Sequence, residues 1–140
     1  MEPASEHSGI GIDTNILIGY LRGQPRLTDA LVKAVTMRPC YVSSLTVYEL
    51  YYGAEYAGAL KGEPDVLALM VSLPFDDRIA REAAKLRARL VRTGQDIGIN
   101  DAIIAATFQF HQLPVLTANY SHFARIPNLT VISPADFLAA

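Results

Sequence analysis

The sequence predicts an α/β fold, a three-layer sandwich of helices around a mostly parallel sheet. Three observations carry that expectation. Short apolar runs such as "GIGID" and "CYVS" recur along the chain. Longer stretches with apolar residues at helical spacing lie between them. Pro, Gly and short polar residues fall at the joints, with no internal repeat and no low-complexity linker. Strands alternating with helices at this interval pair in parallel through crossovers. A length of 140 residues suits one domain, and 51% hydrophobic against 19% charged residues excludes wholesale disorder.

After a polar stretch over residues 1–8, expected to be a mobile tail, a single domain is expected over residues 9–140. "GIGID" is a buried strand, and "TNILIGYLRG" a helix that ends at Gly23. "PRLTDALVKAVTM" opens with proline at a helix start and repeats Leu27, Leu31 and Val35 at helical spacing, and Pro39 stops it. "CYVS" is a second strand, "LTVYELYYGAEYA" a helix, "EPDVLALM" another, and "VSLPF" a third strand that Pro74 weakens. "DDRIAREAAKLRARLVRTG" is a helix capped by Asp76 or Asp77, with Ile79, Ala83, Leu86 and Leu90 on one face and Gly94 at its end. "NDAIIAATFQFHQ" is the next helix, capped by Asn100 or Asp101. "PVLT" and "LTVIS" are terminal strands joined by "ANYSHFARIPN".

The one cysteine, Cys40, excludes an internal disulfide and a cysteine metal cage, which suits a reducing compartment. No apolar run reaches the about 18 residues of a membrane span. "MEPASEHSG" carries two Glu and no Lys or Arg, unlike a secretory signal, so the cytoplasm is the expected location. A net charge of −2 is unfavourable in bulk for binding phosphates, yet six of the twelve basic residues fall between Arg78 and Arg92. Arg78, Arg81, Lys85, Arg89 and Arg92 recur every three or four residues and line one helical face, readable as an RNA-backbone track or as a solvated face.

In an α/β sheet ligands sit at the carboxyl ends of the strands. Asp13 stands at such an end, Glu49 lies one turn after "CYVSS", and Asp101 opens the helix after "GQDIGIN" with Asp96 five residues upstream. Thr117 and Asn119 follow the strand "PVL". If the strands are neighbours, the acids converge. Two carboxylates about 4 Å apart at an effective dielectric near 20 repel by roughly 4 kcal/mol. Relief comes from a shared proton, from Lys or Arg, or from a hard cation. No Lys or Arg lies in "GIDTN", "TVYEL" or "GINDAII". Oxygen donors favour Mg²⁺ or Mn²⁺ over zinc, and such an ion suits the activation of water against a phosphodiester. Each acid also has a plainer role: Asp13 as a helix cap, Glu49 in a capping box with Thr46, Asp101 as a first-turn acid and Asp96 as a loop residue.

These residues resemble the PIN-domain ribonucleases, and within them the VapC-type toxins of toxin–antitoxin modules. The resemblance runs from about Gly9 to Pro134, through "DTN", "SSLTVYELYYGA", "GQDIGINDAIIAA" and "VLTANYSHFARIPNLTVI". It implies a Rossmann-like parallel sheet, a Mg²⁺- or Mn²⁺-dependent endoribonuclease, an antitoxin partner and a homodimer. Metal-ligand acids would map to Asp13, Glu49 and Asp101, with Glu49 acting through water or orienting the nucleophile. The family's fourth polar position would map to Asn119, with Thr117 nearby. Asn119 carries no charge, which favours one ion over two, and Asp96 is the acid available to replace it. The products would be a 5′-phosphate and a 3′-hydroxyl.

Tyr48, Tyr51, Tyr52 and Tyr56 crowd the Glu49 helix and are readable as base-stacking, core or antitoxin-receiving side chains, of which packing plus partner contact is expected. His7, His111 and His122 lack metal-ligand spacing; His122, close to Asn119, is also readable as a substrate contact, but a surface or core role is expected. A haloacid-dehalogenase-like phosphatase would want an acid where Asn15 stands. A receiver domain would want a late lysine, and none follows Lys85. A PIN-like module that binds RNA or protein without cutting is the non-enzymatic alternative; Asp13, Glu49 and Asp101 argue against it, and Asn119 keeps it open.

Overall fold

The structure is a computed structural model and describes residues 8–140. Apart from Ser8, the expected tail lies outside the described residues. The chain runs β1 (Ile10–Ile12), α1 (Thr14–Leu21), α2 (Pro25–Met37), β2 (Cys40–Ser43), α3 (Ser44–Ala57), α4 (Glu63–Leu67) and β3 (Val71–Leu73). It continues α5 (Asp77–Arg92), α6 (Ile99–Phe110), β4 (Val115–Leu116), α7 (Tyr120–Phe123), β5 (Val131–Ile132) and α8 (Pro134–Ala139). The sheet order is β3-β2-β1-β4-β5, and every pairing is parallel.

The central strand shows how the layers are built. In β1, Ile10 and Ile12 turn to one face and Gly11 to the other, the two-residue alternation of a strand. Ile10 and Ile12 join a buried cluster with Ile16 and Leu17 of α1, Leu27 and Leu31 of α2 and Phe137 of α8. On the opposite face, Leu86 and Leu90 of α5 pack with Ile104 and Phe108 of α6 and with Phe123 of α7. A Cβ at Gly11 would lie 2.7 Å from the Phe108 ring, so only glycine lets α6 approach β1 this closely.

The helices begin where local chemistry allows. Asp13, Ser43, Asp76 and Ser133 each accept a backbone N–H at a helix start. Two expected caps differ. Ser43 caps α3, so Thr46 and Glu49 lie inside the helix and form no capping box. Gly98, at φ 88°, precedes α6, so Asn100 and Asp101 occupy its first turn and neither is the cap. β3 stops before Pro74, and α4 is shorter than "EPDVLALM". The short helices α7 and α8 were not expected. None of the helices among the described residues is long and apolar enough to cross a membrane.

Candidate active site

The order β3-β2-β1-β4-β5 places the first strand between the two directions of sheet growth. A crevice opens at the carboxyl ends of the strands at such a switch point. Asp13 follows β1 and Thr117 follows β4, and these strands pair through Ile12 and Leu116. The Thr117 hydroxyl donates to Asp13 Oδ2 at 2.7 Å, and the Thr14 N–H donates to Asp13 Oδ1 at 2.8 Å. Asp13 therefore caps α1, the structural role read from the sequence, and stands at the carboxyl end of β1, where sheets of this order bind ligands.

Asp13 is 3% exposed. Its carboxyl is pushed up to about 7, first by burial and further by the negative charges of Asp101 and Glu49, while the hydrogen bonds from Thr117 and Thr14 pull the other way. Among the described residues, no Lys or Arg forms an ion pair with Asp13, Glu49 or Asp101.

Glu49 reaches the same group from α3. Its Oε1 accepts from Thr14 Oγ1 at 2.7 Å and its Oε2 accepts from Asn100 Nδ2 at 3.1 Å. Thr14 Oγ1 also lies 2.8 Å from Thr46 Oγ1, so a hydroxyl relay Thr46–Thr14–Glu49 links the first turns of α1 and α3. Asp101 Oδ2 lies 3.4 Å from the donor Asn119 Nδ2 and 3.3 Å from His122 Nδ1. The Asn119 N–H donates to Thr117 Oγ1 at 2.9 Å, which closes the path back to Asp13. Asn15 stands beside this group and accepts from the Ala118 N–H at 3.2 Å.

The structure thus brings Asp13, Glu49, Asp101, Asn119, Thr117 and Asn15 to one end of the sheet. It does not bring Asp96 there. Asp96 is held by Arg87 through two hydrogen bonds of 3.2 and 3.1 Å and caps the Gly98 N–H at 3.0 Å. Arg87 holds its carboxyl below the usual range. Asp96 shapes the turn before α6, and its carboxylate is engaged by Arg87 and the Gly98 N–H. Three further contacts go beyond the sequence reading, which places His122 only close to Asn119. Asn100 orients Glu49, Thr46 supports Thr14, and His122 meets Asp101 instead of serving only as a surface or core side chain. The signal for Asn100 and His122 was adjacency: one precedes Asp101 and the other follows Asn119 by three residues.

The donor set is all hard oxygen, which suits Mg²⁺ or Mn²⁺ in kind. Among the described residues no three His, Cys, Asp or Glu side chains already stand close enough to hold an ion together. Threonine and amide groups space the acids apart. Mg²⁺ commonly takes only one or two carboxylates and keeps several waters, so a spaced set fits it better than a cage would.

Residues 10–129 match the PIN domain family, and the chain belongs to that family. It is 32% identical over 124 residues to the tRNA(fMet)-specific endonuclease VapC of Salmonella typhimurium, covering 86% of this chain and 93% of that protein. It is also 32% identical to ribonuclease VapC10 of Mycobacterium tuberculosis, covering 84% and 88%. Among solved structures, the toxin–antitoxin complex from Klebsiella pneumoniae superposes with a TM-score of 0.73 at 29% identity, covering 89% of this chain and 97% of that one.

Proposed function

We propose that this protein is an endoribonuclease that uses Mg²⁺ or Mn²⁺ and acts as the toxin of a toxin–antitoxin pair, inhibited by a cognate antitoxin. The single observation that carries this reading is Asp13. A carboxylate buried at the sheet's switch point, beside two more acids and, among the described residues, with no Lys or Arg paired to them, is costly unless a cation or a proton relieves it. Membership of the PIN family and the ribonuclease relatives support the reaction class, and the toxin–antitoxin complex supports the partner.

Asp13 and Asp101 would hold the ion directly. When bound, it supplies the positive charge that acidifies water and offsets charge on the scissile phosphate. The residues do the rest. Thr117 and the α1 N-terminus fix the Asp13 carboxylate through both of its oxygens. Thr14 and Asn100 clamp both oxygens of Glu49, which leaves its carboxylate oriented to align the attacking water. Asn119 sets the Asp101 carboxylate and offers an amide to the phosphate. Attack in line with the 3′-oxygen leaves a 5′-phosphate on one fragment and a 3′-hydroxyl on the other.

The test is incubation of a mixed RNA pool with purified protein in Mg²⁺ or Mn²⁺ and, in parallel, in EDTA. Cuts with 5′-phosphate ends that vanish in EDTA are expected. Cutting that EDTA leaves unchanged would overturn the metal role. A folded, metal-binding protein that cuts nothing would favour the non-cleaving binding module, the reading that the uncharged Asn119 supports.

A further inference from the structure

Helix α3 leaves Tyr48, Tyr52 and Tyr56 exposed, against the packing expected of them, and buries a polar side chain instead: Thr46, 0% exposed. A threonine inside a helix can turn its hydroxyl back to the carbonyl one turn earlier. Thr107 of α6 does this with the Ile103 carbonyl at 2.7 Å, and Thr36 of α2 with the Val32 carbonyl at 2.7 Å. Thr46 does not. Among the described residues, the one hydrogen bond of its hydroxyl is with Thr14 Oγ1, 2.8 Å away and 32 positions earlier in the chain.

Counting protons fixes the direction of that bond. A hydroxyl has one proton to give and two lone pairs with which to receive, whereas an ionised carboxylate only receives. Thr14 gives its proton to Glu49 Oε1 at 2.7 Å, so its oxygen is the acceptor towards Thr46. The Thr46 proton has no other acceptor among the described residues. The chain therefore runs one way, from Thr46 to Thr14 to Glu49. Thr46 keeps the Thr14 hydroxyl from turning away from Glu49, and a hydroxyl that accepts a bond is polarised into a better donor. Asp13 is fixed in part by a backbone N–H, but Glu49 is held by side chains alone, those of Thr14 and Asn100. The Asn100 bond is exposed, so the branch shielded from water is the one that ends at Thr46.

We propose that Thr46 is a positioning residue for RNA cleavage, acting through Thr14 to hold Glu49 in the orientation that aligns the attacking water. This rests on the ribonuclease reading and adds to it a residue that touches neither ion nor substrate. A small displacement of an aligning group costs rate far more than it costs binding.

The experiment has two arms. In RNA cleavage with Mg²⁺, Thr46→Val keeps the side chain's shape and removes its hydroxyl, whereas Thr46→Ser keeps the hydroxyl. Thr46→Val should lower kcat on the order of tenfold, the low end for outer partners of a metal site, with KM close to wild type. Thr46→Ser should recover most of the rate, and Thr14→Val, one link nearer to Glu49, should lower kcat at least as far as Thr46→Val. The second arm needs neither ion nor substrate: urea unfolding in EDTA of wild type, Thr46→Val, Glu49→Ala and the double variant. Each single change leaves the buried Thr14 hydroxyl one of its two partners, and the double change leaves it none. The double variant should therefore lose more stability than the two single losses added together. Packing alone would give additive losses, and additive losses overturn the chain. Thr46→Val or Thr14→Val cutting at the wild-type rate overturns the positioning role, as does Thr46→Ser failing as badly as Thr46→Val. A wild type that cuts no RNA overturns the ribonuclease reading and the positioning role with it. The greater-than-additive loss in EDTA would persist in that case, which separates it from a broken chain.

Discussion

Asp13 carries the largest electrostatic tension in the described molecule, and that tension has a measurable pH signature. An unfolded Asp loses its proton near 3.8, while the folded carboxyl keeps it to about 7. Unfolding therefore releases a proton between those values, so the metal-free fold loses stability as pH rises through that window, by at most about 4 kcal/mol, and levels off above it. Asn at this position keeps an acceptor for the Thr14 N–H and removes the charge. In EDTA, urea midpoints of wild type should fall between pH 4 and pH 7 relative to those of Asp13→Asn. Parallel profiles would show that Asp13 is ionised without strain. Sequence reading found this residue because a lone acid closed an apolar strand. It could not find the Thr46–Thr14–Glu49 relay, which joins residues 32 to 35 positions apart through the pairing of β1 with β2.

Between elements, the tightest joint is that of α1 with α2. A Cβ on Gly19 would meet Leu27 Cδ1 and lie 2.8 Å from Leu27 Cβ, an atom that moves only with its backbone. Gly19→Ala should therefore destabilise the fold by about 1–3 kcal/mol, the usual range for overpacking. A chemical-denaturation midpoint equal to wild type would mean that α2 shifts freely. Element starts were legible where a side chain does the capping, as Asp76 does for α5. They were misread at α6, where Gly98 takes the turn without a side-chain bond. Helix α7, of four residues, is too short to show a period, whereas "SPAD" at α8 holds a readable start: Ser133 caps it and Pro134 fills the first position. The basic face of α5 is partly engaged within the fold. Arg78 pairs with Asp76 at 3.1 Å and lies 5.0 Å over the Phe110 ring, and Lys85 lies 3.6 Å from Glu82.

For the whole molecule, the alternation of strands and helices gave the layers, and the structure makes the sheet entirely parallel. Strand order was not legible in local pattern, because nothing in a two-residue strand such as β4 says which neighbour it pairs with. That order decides the site. With β1 between β2 and β4, three helix starts and the turn after β4 meet at one edge, and acids that are far apart in sequence share one field. Asp96, close to Asp101 in sequence, is drawn off by Arg87 instead. The most direct measurement is therefore the single-turnover rate of RNA cleavage in Mg²⁺ by Asp13→Asn, Asp101→Asn and Asp96→Asn beside wild type, each first shown to be folded. Loss of an ion-holding carboxylate should cost at least about 100-fold, more than loss of an outer-shell partner does. Asp96→Asn should cut at close to the wild-type rate. Full activity in Asp13→Asn or Asp101→Asn, or a dead Asp96→Asn, would contradict the assignment of the site.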